Sequence, residues 1–171
     1  YFSGYSSSII ITLDGFGEIH SGGIFRFTES SHETIALSKF PHSIGLIYST
    51  FTQFLGFRPN SDEWRVMALS AKGNDSVYKN QIDNLIKIGN DSFNNMVEID
   101  LSFVDYFNFF TSNYFSDKLI SVFGEPRKKD EKLEQHHYDI ASALQTVVEE
   151  KVILLINKIG EQLPNEQNLC L

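Results

Sequence analysis

The stretch IIITLDGFGE, residues 9–18, decides the fold. Ile9, Ile10, Ile11 and Leu13 form a β-branched-rich apolar run that breaks at Asp14-Gly15. Such a run reads as a strand buried on both faces, followed by a tight acidic glycine turn. Residues 24–28 (IFRFT) alternate apolar and polar after Gly22-Gly23, as an adjacent antiparallel strand would. Residues 33–39 (ETIALSK) supply a third strand.

Downstream the period changes from two to 3.6. Ser43 is placed to cap a helix running to about Leu55, with Gly56 just past its end. Ile44, Ile47, Tyr48, Phe51, Phe54 and Leu55 recur at helical spacing within it. Asn60-Ser61-Asp62 caps a shorter helix from Glu63 to about Leu69. Asp75 opens an amphipathic helix through Tyr78, Ile82, Leu85, Ile86 and Ile88, stopped by Gly89-Asn90. Residues 93–104 alternate as a strand, and Ser116 caps a helix that ends at Gly124. Residues 125–134 are charged and read as a solvated loop. Ile140, Leu144, Val148, Val152, Leu155, Ile159 and Leu163 trace one face of a long helix, about 135–163, stopped by Gly160 and Pro164. Leu169 to Leu171 begin another strand. The order β-β-β-α-α-α-β-α-α-β defines a mixed α/β chain.

Composition bounds the function. The chain has 171 residues, 14 Lys plus Arg and 22 Asp plus Glu, for a net charge of −8. One domain is the prior at that length, and 15 Phe with 7 Tyr supply ample core. An acidic chain argues against nonspecific nucleic-acid binding. No apolar run reaches the roughly 18–20 residues of a membrane span. A single cysteine, Cys170, excludes an internal disulfide and suits a cytoplasmic protein. The start at Tyr1 and the apolar ending read as cuts, so residues 1–171 are expected to be one partial domain of a longer protein.

Three places could carry chemistry. A carboxylate at the carboxyl end of a central strand, here Asp14, is well placed to bind a metal or its water. Gly15 and Gly17 let the backbone approach a phosphate; alternatively, Asp14-Gly15 is an ordinary hairpin turn. His42 precedes a helix N-terminus, where it either meets a phosphate or leaving group or simply caps the helix. Arg65, in the run Glu63-Trp64-Arg65-Val66-Met67, either neutralises a nucleotide phosphate or forms a surface ion pair worth under about 1 kcal/mol. No H-x-x-x-H or H-E-x-x-H pair is present, so the chain holds no self-sufficient zinc site. His136 and His137 read as solvated.

Five segments together carry a resemblance: ITLDGFGE (11–18), FPHSIGLIYSTFTQFLGF (40–57), NSDEWRVMALSAKG (60–73), HYDIASALQTVVEE (137–150) and NLCL (168–171). In order and spacing they resemble the O-carbamoyltransferase family, which includes nodulation protein U and the tobramycin- and cephamycin-type carbamoyltransferases. The resemblance spans the whole chain. It implies part of an N-terminal domain with the fold of actin, heat-shock ATPases and sugar kinases, built from RNase H-like lobes. It further implies a YrdC-like domain elsewhere in the full-length chain that makes carbamoyladenylate from ATP and carbamoyl phosphate. The kinase-like domain then passes the carbamoyl group to a hydroxyl of a small-molecule or oligosaccharide acceptor, aided by an iron-type divalent metal.

By resemblance Asp14 is a metal ligand or lies just behind the metal, and Gly15 and Gly17 shape the turn beside the adenylate phosphate. Arg65 would bind cofactor, and Glu18 and His42 would be catalytic. Arg65 stands where the family usually has Lys, which changes the geometry of the charge. Residues 68–72 (ALSAK) depart from the family's G-L-A-P-Y. The family's metal-binding His-x-x-x-His pair is expected upstream of Tyr1, so the isolated chain is expected to be inactive. Two competing readings are a sugar kinase or ATPase of the same superfold and a non-enzymatic interaction module.

Overall fold

A computed structural model describes residues 4–89, 96–108 and 110–171. Strand β1 (Ser7–Leu13) is the interior strand that its isoleucines require, with Ile9 and Ile11 both buried. On one side it pairs antiparallel with β2 (His20–Thr28), which pairs antiparallel with β3 (Ser31–Lys39). On the other side β6 (Leu169–Cys170) runs parallel to it, Ile9 facing Leu169. The sheet order is therefore β3-β2-β1-β6. A parallel neighbour needs a crossover, and the helices between β3 and β6 provide it.

β2 begins earlier than its alternation suggests, because Gly22 and Gly23 lie inside it. The reason is space: a Cβ on Gly22 would sit 2.7 Å from the Thr12 carbonyl oxygen, and one on Gly23 would sit 2.6 Å from the Phe25 ring. These glycines are read from the sequence as punctuation, yet they are close-approach positions in a strand.

Helix α1 (Ile44–Phe54) carries the apolar face expected of it. Ile47, Phe51 and Phe54 are at most 1% exposed. Phe51 and Phe54 meet Phe123 and Phe115 edge-on, with centroids 5.3 and 5.4 Å apart. Such pairs add about 0.5–1.5 kcal/mol to area burial. Helix α2 (Glu63–Ser70) packs on the long helix α5 (Gln135–Gln162). Gly160 lies within α5 rather than stopping it.

Two expectations are corrected in the middle of the chain. The helix expected over 75–88 is a 3-10 turn (Asp75–Val77) and a short helix α3 (Lys79–Asp83), followed by strand β4 (Ile86–Ile88). Of the strand expected over 93–104, residues 93–95 lie outside the described residues; Val97–Ile99 form β5, and Leu101–Phe103 a 3-10 turn capped by Asp100. Ile86 and Ile88 alternate across β4 and pair antiparallel with Ile99 and Val97. The three residues of β4 continue a helix-like spacing that begins upstream, which hides their period of two. Helix α4 (Asp117–Phe123) ends at Gly124 as expected. Among the described residues no helix is long and apolar enough to cross a membrane.

Candidate functional site

The Asp14-Gly15 turn is fixed to the N-terminus of α1. The buried Ser43 hydroxyl is the N-cap of that helix, accepting from the Leu46 N–H at 3.0 Å. The same oxygen lies 2.9 Å from the Asp14 carbonyl and 2.7 Å from the Gly15 carbonyl, which share its single donor proton. One side chain therefore closes the helix end and holds the turn. The contact is close: a Cβ on Gly45 would come within 2.7 Å of the Gly15 Cα. The first turn of α1 contains no acidic residue, so its positive end is not neutralised locally.

The Asp14 backbone N–H bonds the Ser21 carbonyl at 2.9 Å, while its side chain is exposed. Among the described residues the Asp14 carboxylate has no hydrogen-bond or ion-pair partner. The side of Gly15 on which a Cβ would sit faces open space, whereas a Cβ on Gly17 would overlap the His20 carbonyl at 2.3 Å. The two glycines thus differ: Gly17 is needed by the chain itself, and Gly15 leaves an open face. Glu18 is exposed on the same turn and holds no partner among the described residues.

An aromatic cradle adjoins the turn. Phe16, 60% exposed, meets Phe40 edge-on at 4.9 Å. With Leu46, Asn60, Tyr106 and Tyr114 they line a cavity of about 380 Å³. The Tyr106 hydroxyl donates to the Pro41 carbonyl at 2.7 Å, and burial pushes its pKa up. Asn60 donates to the Tyr114 hydroxyl at 2.8 Å. Sequence reasoning missed this cradle, since its residues come from four separate segments.

The His42 imidazole and the Arg65 guanidinium make their contacts elsewhere than at the Asp14 side chain. The His42 imidazole accepts the Ile99 N–H through Nδ1 at 3.0 Å. Ser38 accepts the Val97 N–H in the same way. Two side chains thus satisfy the outward N–H groups of β5, and the β4–β5 hairpin hangs from the end of β3. The helix cap is Ser43, not His42. Nε2 of His42 has no hydrogen-bond partner among the described residues, and His42 lines a cavity of about 350 Å³ with Lys87, Glu98 and Asp100 among others. Arg65 lies over the Phe57 ring at 4.6 Å, beyond the far end of α1. That helix, 11 residues long, measures about 16 Å.

His137 departs from its solvated reading. It is 6% exposed and forms a capping box with Glu134, whose N–H it accepts through Nδ1 at 2.9 Å. Burial, followed by the neighbouring His136 and Arg127, lowers its pKa. The loop 125–134 is likewise not merely solvated: the Arg127 guanidinium donates to the Leu55 carbonyl at 2.7 Å, satisfying the end of α1.

Among the described residues no three His, Cys, Asp or Glu side chains converge as a metal site. Asp14 supplies one donor, which is not a coordination shell.

An antiparallel three-stranded sheet extended by a parallel strand, with a strand-to-turn carboxylate locked on a helix N-terminus, defines a mixed α/β domain with an acidic glycine turn. The model for the carbamoyltransferase N-terminus matches residues 1–171, and the chain belongs to that family. It is 32% identical to the uncharacterized protein sll1178 of Synechocystis over 99% of this chain and 27% of that protein. It is 35% identical to the uncharacterized protein MJ1058 of Methanocaldococcus jannaschii over 52% of this chain and 17% of that protein. The chain thus spans about a quarter or less of the length of these relatives.

Proposed function

We propose that the chain is part of the N-terminal, kinase-like domain of an ATP- and carbamoyl phosphate-dependent O-carbamoyltransferase. The full-length protein moves a carbamoyl group from carbamoyladenylate to a hydroxyl of a small-molecule or oligosaccharide acceptor in the cytoplasm. A YrdC-like domain of the same chain supplies the carbamoyladenylate. The observation that carries this reading is the Ser43–Gly15 contact within a chain matched along its length by the family model. It joins the two most family-like segments, residues 11–18 and 40–57, into one site. The sheet order β3-β2-β1-β6, with only β6 parallel, supports an RNase H-like lobe.

Asp14, exposed and without a partner among the described residues, is positioned to serve as one ligand of a divalent ion whose remaining ligands lie outside them. Such an ion would polarise the carbamoyl carbonyl. Gly15 leaves room for a phosphate-bearing group at the turn, while Gly17 sets the turn's shape. The Ser43 clamp holds the backbone so that little reorganisation is needed when the ligand arrives. Glu18 and the Nε2 of His42 are the remaining candidates for proton transfer. Arg65 sits apart from this site and is not assigned to it.

The test uses the full-length protein with ATP, carbamoyl phosphate and a panel of hydroxyl acceptors. Carbamoylated acceptor and AMP are expected only when carbamoyl phosphate is present. ATP consumption that ignores carbamoyl phosphate supports a kinase or ATPase instead and overturns the reading.

A further inference from the structure

At the far end of α1 an independent cluster of positive charge surrounds Phe57. A cavity of about 740 Å³ there is lined by Arg58, Arg65, Arg127 and Lys129, with Asp62 and Asp130 as its acidic members. Four cations against two carboxylates leave an excess of two positive charges, in a chain whose net charge is −8. Two guanidiniums share a single ring: Arg65 at 4.6 Å and Arg127 at 5.1 Å from the Phe57 centroid.

The arrangement is partly rigid and partly unsatisfied. Arg127 is pinned by three backbone carbonyls, of Leu55 at 2.7 Å and of Lys129 and Glu131 at 3.0 Å. Its charge is therefore held in place by the fold. Asp62 spends one oxygen on the Arg58 N–H at 3.0 Å and meets Arg65 only at 3.7 Å. The Arg58 guanidinium and the Lys129 ammonium have no partner among the described residues. The two carboxylates leave part of this positive charge uncompensated, and guanidiniums match the oxygens of a phosphate group bidentately.

We infer that this cavity is a binding site for a small phosphate-bearing molecule, separate from the Asp14 turn. Arg58 and Arg65 grip the phosphate oxygens, Lys129 adds charge, and Arg127 provides the fixed positive background. The cavity's volume is that of an ordinary small-molecule site.

The test is arginine-selective labelling of the full-length protein with phenylglyoxal, mapped by peptide mass spectrometry, with pyrophosphate as probe. Pyrophosphate is expected to slow labelling of Arg58 and Arg65 at least about fivefold relative to sodium chloride of equal ionic strength, and to leave Arg26, already paired with Glu166, unchanged. In the Arg58→Ala protein the protection of Arg65 is expected to fall severalfold. Because the readout is residue by residue, it does not depend on the transferase reading or on phosphate bound elsewhere. Equal labelling with pyrophosphate and chloride overturns the inference. So does undiminished protection of Arg65 in Arg58→Ala.

Discussion

The Oγ of Ser43 lies 2.7 Å from the carbonyl oxygen of Gly15, and this contact ties the strand-end turn to the helix that follows the sheet. The same oxygen caps α1, so Ser43→Ala removes a helix cap and the one donor proton shared by the Asp14 and Gly15 carbonyls. The expected cost is about 1–3 kcal/mol, read by equilibrium urea unfolding. Gly45→Ala attacks the same contact by overlap instead, since its Cβ would meet Gly15. Both substitutions are expected to lower transfer by the full-length protein. A Ser43→Ala protein as stable as the parent counts against the clamp.

The two turn glycines give a sharper contrast. Gly17→Ala places a Cβ 2.3 Å from the His20 carbonyl and is expected to destabilise the fold by more than about 1 kcal/mol. Gly15→Ala meets open space, so the unfolding midpoint is expected to hold while ligand binding at the turn weakens. Nucleotide titration of the folded full-length protein reads this directly. Unchanged affinity removes Gly15 from the site.

Much of this was legible in advance where periodicity was long. The apolar run 9–13 appeared as an interior strand, and the stripe from Ile140 to Ile159 as one long helix. Of the short hairpin, β5 falls within the strand expected over 93–104, whereas β4 was not legible. Three-residue strands carry too few alternations, and β5 is held by the side chains of Ser38 and His42 rather than by the main sheet. For the candidate site, the acidic glycine turn after β1 was legible from the apolar run and its break at Asp14-Gly15. The contacts that the His42 imidazole makes with Ile99 and Arg65 with Phe57 were not visible, because spacing cannot say which way a side chain turns.

His42 is held by an N–H that needs an acceptor, which separates its structural role from its chemical one. His42→Ala leaves the Ile99 N–H unpaired and is expected to cost about 1–3 kcal/mol. His42→Asn offers a side-chain oxygen near the place of Nδ1 and is expected to recover most of that stability. Thermal unfolding of both variants, beside their transfer rates, divides the two roles. Recovery of stability without activity assigns chemistry to Nε2, and recovery of both leaves His42 structural.

His137 makes stability depend on pH. Its folded-state pKa lies below the ordinary histidine value of 6.5, so the unfolded chain takes up the proton first. Stability is present above that value and declines as pH falls through it. Urea unfolding between about pH 7.5 and 5.5 is expected to show this decline. His137→Gln, which keeps an acceptor for the Glu134 N–H without a titrating ring, is expected to flatten it. A slope unchanged in the variant assigns the pH dependence to other groups.

In the reading proposed for this chain, the Asp14 carboxylate, exposed and without a partner among the described residues on a turn held by Ser43, belongs to the carbamoyl-transfer site. The most direct measurement is carbamoyl transfer by full-length Asp14→Asn, compared with the parent at saturating ATP and carbamoyl phosphate. Because the side chain has no partner among the described residues, the unfolding midpoint is expected to be unchanged. The transfer rate is expected to fall by about 100-fold or more, as loss of a charge that holds a catalytic metal does. Transfer at the parental rate by Asp14→Asn would remove this carboxylate from the site.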